Sequence, residues 1–320
     1  MDYYLLYFSP TFTTKKVSQM IAETVAKTWT ELDITNYGGC GELPNEGRPI
    51  GSQPDGLPGS QPLGQPGTPG DTQIDAEPDT QPDSQLGGRP NGQPGDQLPN
   101  RPDTQPSLTF GADDVLIIGI PVHSGRVPPL ALRTIKTLRG NATPAILLAT
   151  FGNRHYDDAL LELKTTLQAQ GFVAIAAAAF ATEHSIVPKY GAGRPNAADI
   201  REIHEFAKQA GKKLATWEQA SHVDLQVEGN PDYRPFQSIS MSPHANSHCI
   251  KCRTCAKSCP AQAIPLKNPK TRDKKACITC LRCISVCPEK ARSLHSYEKL
   301  VAQLSLAKQC QGEKPNALFL

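Results

Sequence analysis

No stretch of this 320-residue sequence reaches eighteen consecutive apolar residues, so it holds no candidate membrane-spanning helix. The first apolar run, residues 3–8, has no basic residue ahead of it and stops at Ser9-Pro10, which is too short for a secretory signal. A reduced, cytoplasmic setting is the resulting expectation. Aromatic residues are missing altogether between Tyr37 and Phe110, and a stretch without them has little with which to build a core. A G-x-G-x-x-G after a strand is also lacking. Gly38-Gly39-Cys40-Gly41 has neither the spacing nor a following helix, so a pyridine-nucleotide site has no support. Charge of one sign is scarce only in the total. The formal net charge is +2, yet residues 45–106 carry nine Asp/Glu against three Arg, and residues 249–287 carry nine Lys/Arg against Asp273 alone. Whole-chain charge therefore says nothing about partners, whereas segment charge does.

The chain divides into four pieces. The first, residues 1–43, reads strand, helix, strand: an apolar run at 3–8, then Val17, Met20, Ile21, Val25 and Ala26 at helical spacing, then a strand over 32–37. Residues 44–107 are a degenerate tetrapeptide repeat, with proline in second place in ten of the fourteen units that start at Gln53. A period of four excludes collagen, which requires glycine at every third place. Too apolar-poor to offset its ordering entropy, the segment is expected to be disordered, with a binding role as the alternative. Alternation returns over residues 108–220, with strands at 115–120, 145–149 and 174–180 and helices at 128–138, 156–170 and 197–220. Strands apolar throughout and alternating with helices imply an α/β domain whose parallel sheet is covered on both faces. Without the insertion this domain has roughly 150 residues, an ordinary size for one core. A linker at 221–240 leads to a cysteine-rich domain at 241–320, whose final helix, 297–308, is expected to pack Leu300, Val301 and Leu304 onto a neighbour.

Ten cysteines would suit a secreted disulfide framework were they spread out, but eight lie in two tight runs. Cys249-x2-Cys252-x2-Cys255-x3-Cys259-Pro260 is answered by Cys277-x2-Cys280-x2-Cys283-x3-Cys287-Pro288. Three thiolates on one tight loop cap one face of an iron–sulfur cubane, and the fourth has to come from a separate segment. In the two-cluster pattern the fourth cysteine of each run serves the other cluster. By that rule Cys249, Cys252, Cys255 and Cys287 hold one [4Fe–4S] cluster, and Cys259, Cys277, Cys280 and Cys283 hold a second. The competing reading is structural zinc, which usually takes C-x2-C pairs set apart by a longer spacer. The surrounding Lys/Arg excess has two readings: it offsets the roughly −2 charge of each thiolate-bound cubane, or it docks an acidic redox partner. Cys40 and Cys310 fall outside both runs and read as free thiols.

Directly after the first strand, Ser9-Pro10-Thr11-Phe12-Thr13-Thr14 opens the first helix. Hydroxyls and free backbone amides at a helix amino end suit a terminal phosphate, and they equally suit an ordinary N-cap. Two further loops follow strand ends, where open α/β sheets bind ligands: Pro121-Val122-His123-Ser124-Gly125-Arg126 and Phe151-Gly152-Asn153-Arg154-His155-Tyr156. With Glu183-His184-Ser185 and Gly193-Arg194-Pro195, these blocks resemble the bacterial ferredoxins fused to an N-terminal flavodoxin domain. The resemblance extends to Cys287-Pro288-Glu289-Lys290-Ala291-Arg292 and covers nearly the whole chain apart from the repeat. It implies a flavodoxin-like doubly wound sheet of order 2-1-3-4-5 followed by a small α+β two-[4Fe–4S] ferredoxin domain. It also implies FMN, with phosphate at Ser9, Thr11, Thr13 and Thr14. The ring would then lie among Pro121, Val122, His123, Ser124 and Gly125 on one side and Phe151, Gly152, Asn153, Arg154 and Tyr156 on the other. Ser9, Thr11 and Thr14 match the flavodoxin phosphate loop, while Phe12 stands where glycine is usual and hinders the backbone conformation that glycine permits. The other histidines read as structural, with His184 also a candidate neighbour of the flavin.

Nothing supplies a nucleophile, a general base or a substrate pocket, so the expectation is redox chemistry alone. The leading expectation is an electron carrier between FMN and the clusters, serving redox partner proteins and no nucleic acid. The alternatives are a flavin-dependent reductase of a small organic acceptor, and a ferredoxin whose flavin-free sheet domain serves for docking.

Overall fold

In the computed structural model, residues 1–36, 108–218, 224–237 and 239–320 are described, all within one compact unit. The tetrapeptide repeat and Cys40 lie outside the described residues. The first domain is built on β1 (Asp2–Tyr7), α1 (Thr13–Val25), β2 (Thr30–Asp33), β3 (Asp114–Pro121), α2 (Pro129–Ile135), β4 (Thr143–Phe151), α3 (Ala159–Ala169), β5 (Phe172–Ala181) and α4 (Ala197–Ala215). The strand order is β2-β1-β3-β4-β5, all parallel, as the alternation of fully apolar strands with helices implies. Leu5 stands beside Ile117, and Ile117 beside Ile146. Each face carries its own apolar layer. Leu6, Ile118 and Leu147 meet Ala131, Ile135, Leu160 and Leu163 of α2 and α3. Leu5, Ile117 and Ile146 meet Val17, Ile21, Ile203 and Phe206 of α1 and α4. One close approach needs glycine: a Cβ at Gly119 would stand 2.1 Å from Ser18 Oγ, so any side chain there would push α1 off the sheet.

Several elements depart from the sequence expectation. The second strand ends at Asp33, and a 3-10 turn over Ile34–Asn36 takes up residues expected to be extended. Helix α4 stops at Ala215 rather than continuing to 220. A sixth strand was not expected at all. After the cysteine-rich region, a later short strand at Ala317–Phe319 pairs antiparallel with β5.

The cysteine-rich region holds β6 (His244–Ala245), α5 (Thr254–Lys257), α6 (Arg282–Ser285), β7 (Arg292–Ser293) and α7 (Ser296–Leu306), with β6 and β7 paired antiparallel; the sixth sheet strand is β8 (Ala317–Phe319). Helix α7 corrects an expectation, because Tyr297, Leu300, Val301 and Leu304 face solvent while Ala302 and Glu298 are buried.

The region is anchored to the sheet domain at both ends. On the entering side, Asp158 accepts from the backbone N–H groups of Asn230 and Arg234, and Tyr156 donates to Glu228. On the leaving side, Asn316 Oδ1 accepts from Ala181 N–H, and its amide donates to Asp199 and Glu202. Asn153 donates to the carbonyls of Cys310 and Gly312 and accepts from Lys314 N–H. Two such anchorages fix the cysteine loops against the sheet instead of leaving them on a tether. No helix of the described residues is long and apolar enough to cross a membrane.

Candidate redox centre

The two cysteine runs are one structure used twice, offset by 28 residues. Lys251, Arg253 and Gln262 in the first run have φ of 57°, 67° and 52°, and Thr279, Leu281 and Lys290 in the second have 54°, 61° and 47°. Left-handed backbone costs a non-glycine residue about 1–2 kcal/mol. It is repeated at three matched positions in each run, so both loops follow the same strained path. The fourth cysteines also match, since Ala263 N–H donates to Cys259 Sγ and Ala291 N–H to Cys287 Sγ, each at 3.3 Å.

The loops enclose two hollows. One is lined by Cys259, Cys277, Cys280 and Cys283, with Arg272 and Arg282 in its wall. The other is lined by Cys249, Cys252, Cys255 and Cys287, with Arg253 and Arg292. Each hollow thus takes three cysteines from one run and the last cysteine from the other. All nine described cysteines are free thiols, which sets aside a disulfide framework. Among the described residues no group of three or more Cys, His, Asp or Glu side chains converges on a point where a single metal ion would sit. Thiols ringing a hollow suit a cluster, whose irons lie apart at the corners of a cube. The chemistry of the wall agrees: Arg282 Nε and Arg292 Nε, on side chains lining one hollow each, are buried donors without acceptors. Thiolate and sulfide sulfur would supply both acceptor and negative charge.

The two hollows sit in different surroundings. In the first-run loop Cys252 is exposed, and the Thr254 hydroxyl beside its sulfur at 3.4 Å draws the thiol below its usual range. In the second-run loop burial pushes Cys283 up to about 12 and Cys280 higher still. Burial without iron therefore favours neutral thiols there, and bonding to a metal is what would strip their protons. The second-run loop is buried because it packs against the rest of the chain. Thr279 donates to the carbonyls of Ile239 and Met241, and Ile278 joins the apolar layer beneath α2 and α3. Arg282 reaches the loop after β1, where Nη1 donates to Ser9 O at 3.1 Å and Pro10 O at 3.4 Å, and its guanidinium lies 4.4 Å from the Phe12 ring centroid.

That loop has the features of an anion site. Phe12 occupies the N-cap of α1 with φ of 65°, the conformation glycine would take freely, so the chain adopts the expected path despite the bulkier residue. Ser9 Oγ accepts from Lys15 N–H at 2.9 Å, and Thr14 Oγ1 shares a 2.7 Å hydrogen bond with Thr150 Oγ1. The backbone N–H groups of Thr11, Thr13 and Thr14 have no acceptor among the described residues. A phosphate fits this donor set.

The two loops expected beside a flavin ring are less uniform. His123 is half-buried and kept neutral, its pKa pulled down to about 4 by burial, and its ring nitrogens make no hydrogen bond among the described residues. Its backbone pairs with Arg126 across a tight turn through Ser124 and Gly125, both at positive φ. Pro121 closes β3, and Val122 N–H bonds Thr150 O. On the other loop Phe151 and Tyr156 are buried, Asn153 is spent on the C-terminal segment, and Arg154 pairs with Asp157. Gly152 lies so close to His184 that an added Cβ would come within 2.8 Å of it. Sequence reasoning missed Arg282 and the linker residues Tyr233 and Arg234, which meet Arg126 and Asp157. Arg282 sits between two ligand-spaced cysteines, where the motif masks any other role.

Compared with known proteins, residues 248–291 match the family described as the 4Fe-4S dicluster domain, a span that contains both cysteine runs. No curated protein matches the chain. The C-terminal region is a ferredoxin-type 4Fe–4S domain set behind a parallel α/β sheet of order 2-1-3-4-5, and such a domain points to electron transfer.

Proposed function

We propose that the chain is an electron-transfer protein that holds two [4Fe–4S] clusters and FMN, with the fusion of flavodoxin-like and ferredoxin domains serving to pass electrons between them. The observation that carries this reading is the division of eight cysteines into two quartets around two hollows, three from one run and one from the other. Cys249, Cys252, Cys255 and Cys287 would ligate the outer cluster, and Cys259, Cys277, Cys280 and Cys283 the inner one. The donor set of the loop after β1 supports the flavin: Ser9 shapes the turn, and the Thr11, Thr13 and Thr14 amides hold the phosphate. His123, flat and uncharged, would lie against the ring, with the amides of Ser124 and Gly125 at its edge. FMN, when bound, supplies a centre that takes up two electrons and releases them singly, which a one-electron cluster alone lacks.

The chain's own residues divide the remaining work. Exposed Lys251, Arg253 and Lys257 ring the outer cluster and would receive an acidic redox protein. Half-buried Arg272 and buried Arg292 offset cluster charge, and the anchored linker and C-terminal strand hold the inner cluster at a fixed distance from the sheet. A reducing compartment such as the cytoplasm suits the free thiols. A second reading, a ferredoxin whose sheet domain only docks partners, is favoured by Asn153 and Tyr156, both engaged inside the protein. One anaerobic preparation assayed for iron, acid-labile sulfide and flavin tests both. Zinc, or no sulfide, overturns the cluster assignment. Iron and sulfide without any flavin, bound or retained after adding FMN, decides for the docking reading.

A further inference from the structure

We infer that Arg282 completes an anion site at the amino end of α1 and makes the inner cluster respond to the charge held there; this rests on the phosphate loop of the proposed function. Arg282 belongs covalently to the second cysteine run, and its side chain lines the inner hollow while its guanidinium reaches the loop after β1. It is 7% exposed, has no ion-pair partner among the described residues, and keeps Nε buried without an acceptor. Its partners among the described residues are two carbonyls and the face of Phe12.

Neither acid of β2 forms an ion pair with Arg282. Glu31 accepts from Tyr7, Lys15 and Gln19, and Asp33 from Thr35 N–H. A buried guanidinium therefore faces the positive end of a 13-residue helix and three free amides. Two sources of positive potential, the guanidinium and the free amides of the helix end, converge here without an ion pair between them and any acid of the described residues, and a shared anion stabilises such an arrangement. A phosphate monoester or inorganic phosphate has the charge and the acceptor geometry for amides and guanidinium together. The second consequence is electrostatic. With the anion bound, the field of Arg282 at the inner cluster is offset, so adding an electron there becomes harder. By reciprocity, reducing that cluster weakens anion binding by the same factor. The outer cluster, walled by Arg253 and Arg292, should feel little of this. Arg282 is thus a positioning residue, acting on the cluster through charge rather than by contact with the electron.

The test uses the full-length protein with its clusters loaded, and inorganic phosphate, FMN and riboflavin as probes. Midpoints of the two clusters are followed by EPR during redox titration. In the native protein, phosphate should disfavour reduction of one cluster by about tenfold, about 59 mV for one electron, and leave the other unmoved. In Arg282→Gln that shift should vanish, FMN should bind roughly tenfold or more weakly, and riboflavin, which has no phosphate, should change less than twofold. Arg282→Lys should restore part of the phosphate response. Equal loss of FMN and riboflavin in Arg282→Gln would reduce the residue to a structural role and overturn the inference, as would native clusters that shift together or not at all. If phosphate shifts one cluster but neither flavin binds the native protein, the inference stands and the flavin reading fails. If FMN binds equally to native and Arg282→Gln protein, the flavin reading stands and the inference fails. Should Arg282→Gln not load its clusters, the native titration alone still decides.

Discussion

The outer and inner halves of the cysteine-rich region share one backbone and meet opposite surroundings. Lys251, Arg253 and Lys257 in the first run stand where Thr279, Leu281 and Ser285 stand in the second, and the matched left-handed residues keep the loop path the same. Arg253 is exposed, whereas Leu281 is 5% exposed and Thr279 is bonded to the incoming linker. The cluster chemistry fixes the cysteines and the backbone between them, while the intervening side chains decide whether a half meets water or protein. One repeat thereby gives one loop open to solvent and one joined to the sheet.

The hardest way to break this comparison is to remove the cysteines that cross between the halves. Cys287→Ala should cost the same cluster as Cys252→Ala, and Cys259→Ala the same as Cys280→Ala, each leaving about four of about eight irons per chain. Iron and sulfide analysis with EPR checks it. If Cys287→Ala instead behaves like Cys280→Ala, each run serves its own cluster and the assignment of quartets is wrong. Next in size is an exchange of surroundings. Leu281→Arg, which gives the inner loop the outer residue, should lower stability by about 2–4 kcal/mol by burying an unpaired charge. The reverse change, Arg253→Leu, should stay within about 0.5 kcal/mol. Thermal or denaturant unfolding of the loaded protein compares them, and equal losses would mean the two loops are equally buried.

How much of this was readable beforehand depends on range. Strand β3 was legible because Val115, Leu116, Ile117 and Ile118 form an unbroken apolar run, and parallel order follows from helices between such strands. The two cysteine runs were legible because the spacing of a 4Fe–4S motif is a local property. Strand β8 was not, since three residues have no periodicity and their pairing with Ala177, Ala178 and Ala179 is set across more than 130 residues of sequence. Helix α7 misled: Tyr297, Leu300, Val301 and Leu304 keep the spacing of a packed face and yet are exposed, because Ala302 and Glu298 on the other side make the contact. The contact of Arg282 with Ser9 spans 273 positions and could not be read from either motif alone.

A milder change sharpens the outer half. Lys251→Glu combined with Arg253→Glu should slow electron exchange with an acidic redox protein by about tenfold at low salt and flatten its salt dependence, while leaving iron content unchanged. Stopped-flow rates at several ionic strengths check it. Rates that ignore both the substitutions and the salt would place the docking face elsewhere.

The smallest expected effect lies at the inner half, where Phe12 supports Arg282. Phe12→Gly relieves a left-handed non-glycine residue, a gain of about 1–2 kcal/mol. Against that, glycine loses about 0.5–1 kcal/mol of unfolded-chain entropy, and the ring's contact with the guanidinium is worth about 0.5–1 kcal/mol more. The terms nearly cancel, so the unfolding free energy should move by less than about 1 kcal/mol. Because the backbone at Phe12 already has φ of 65°, glycine opens no new conformation for the loop, and FMN affinity should change less than threefold. Flavin titration beside a thermal melt measures both. A much tighter flavin would mean that the Phe12 side chain, rather than its backbone, obstructs the site, and Arg282 would then be held over the loop by a residue that works against its ligand.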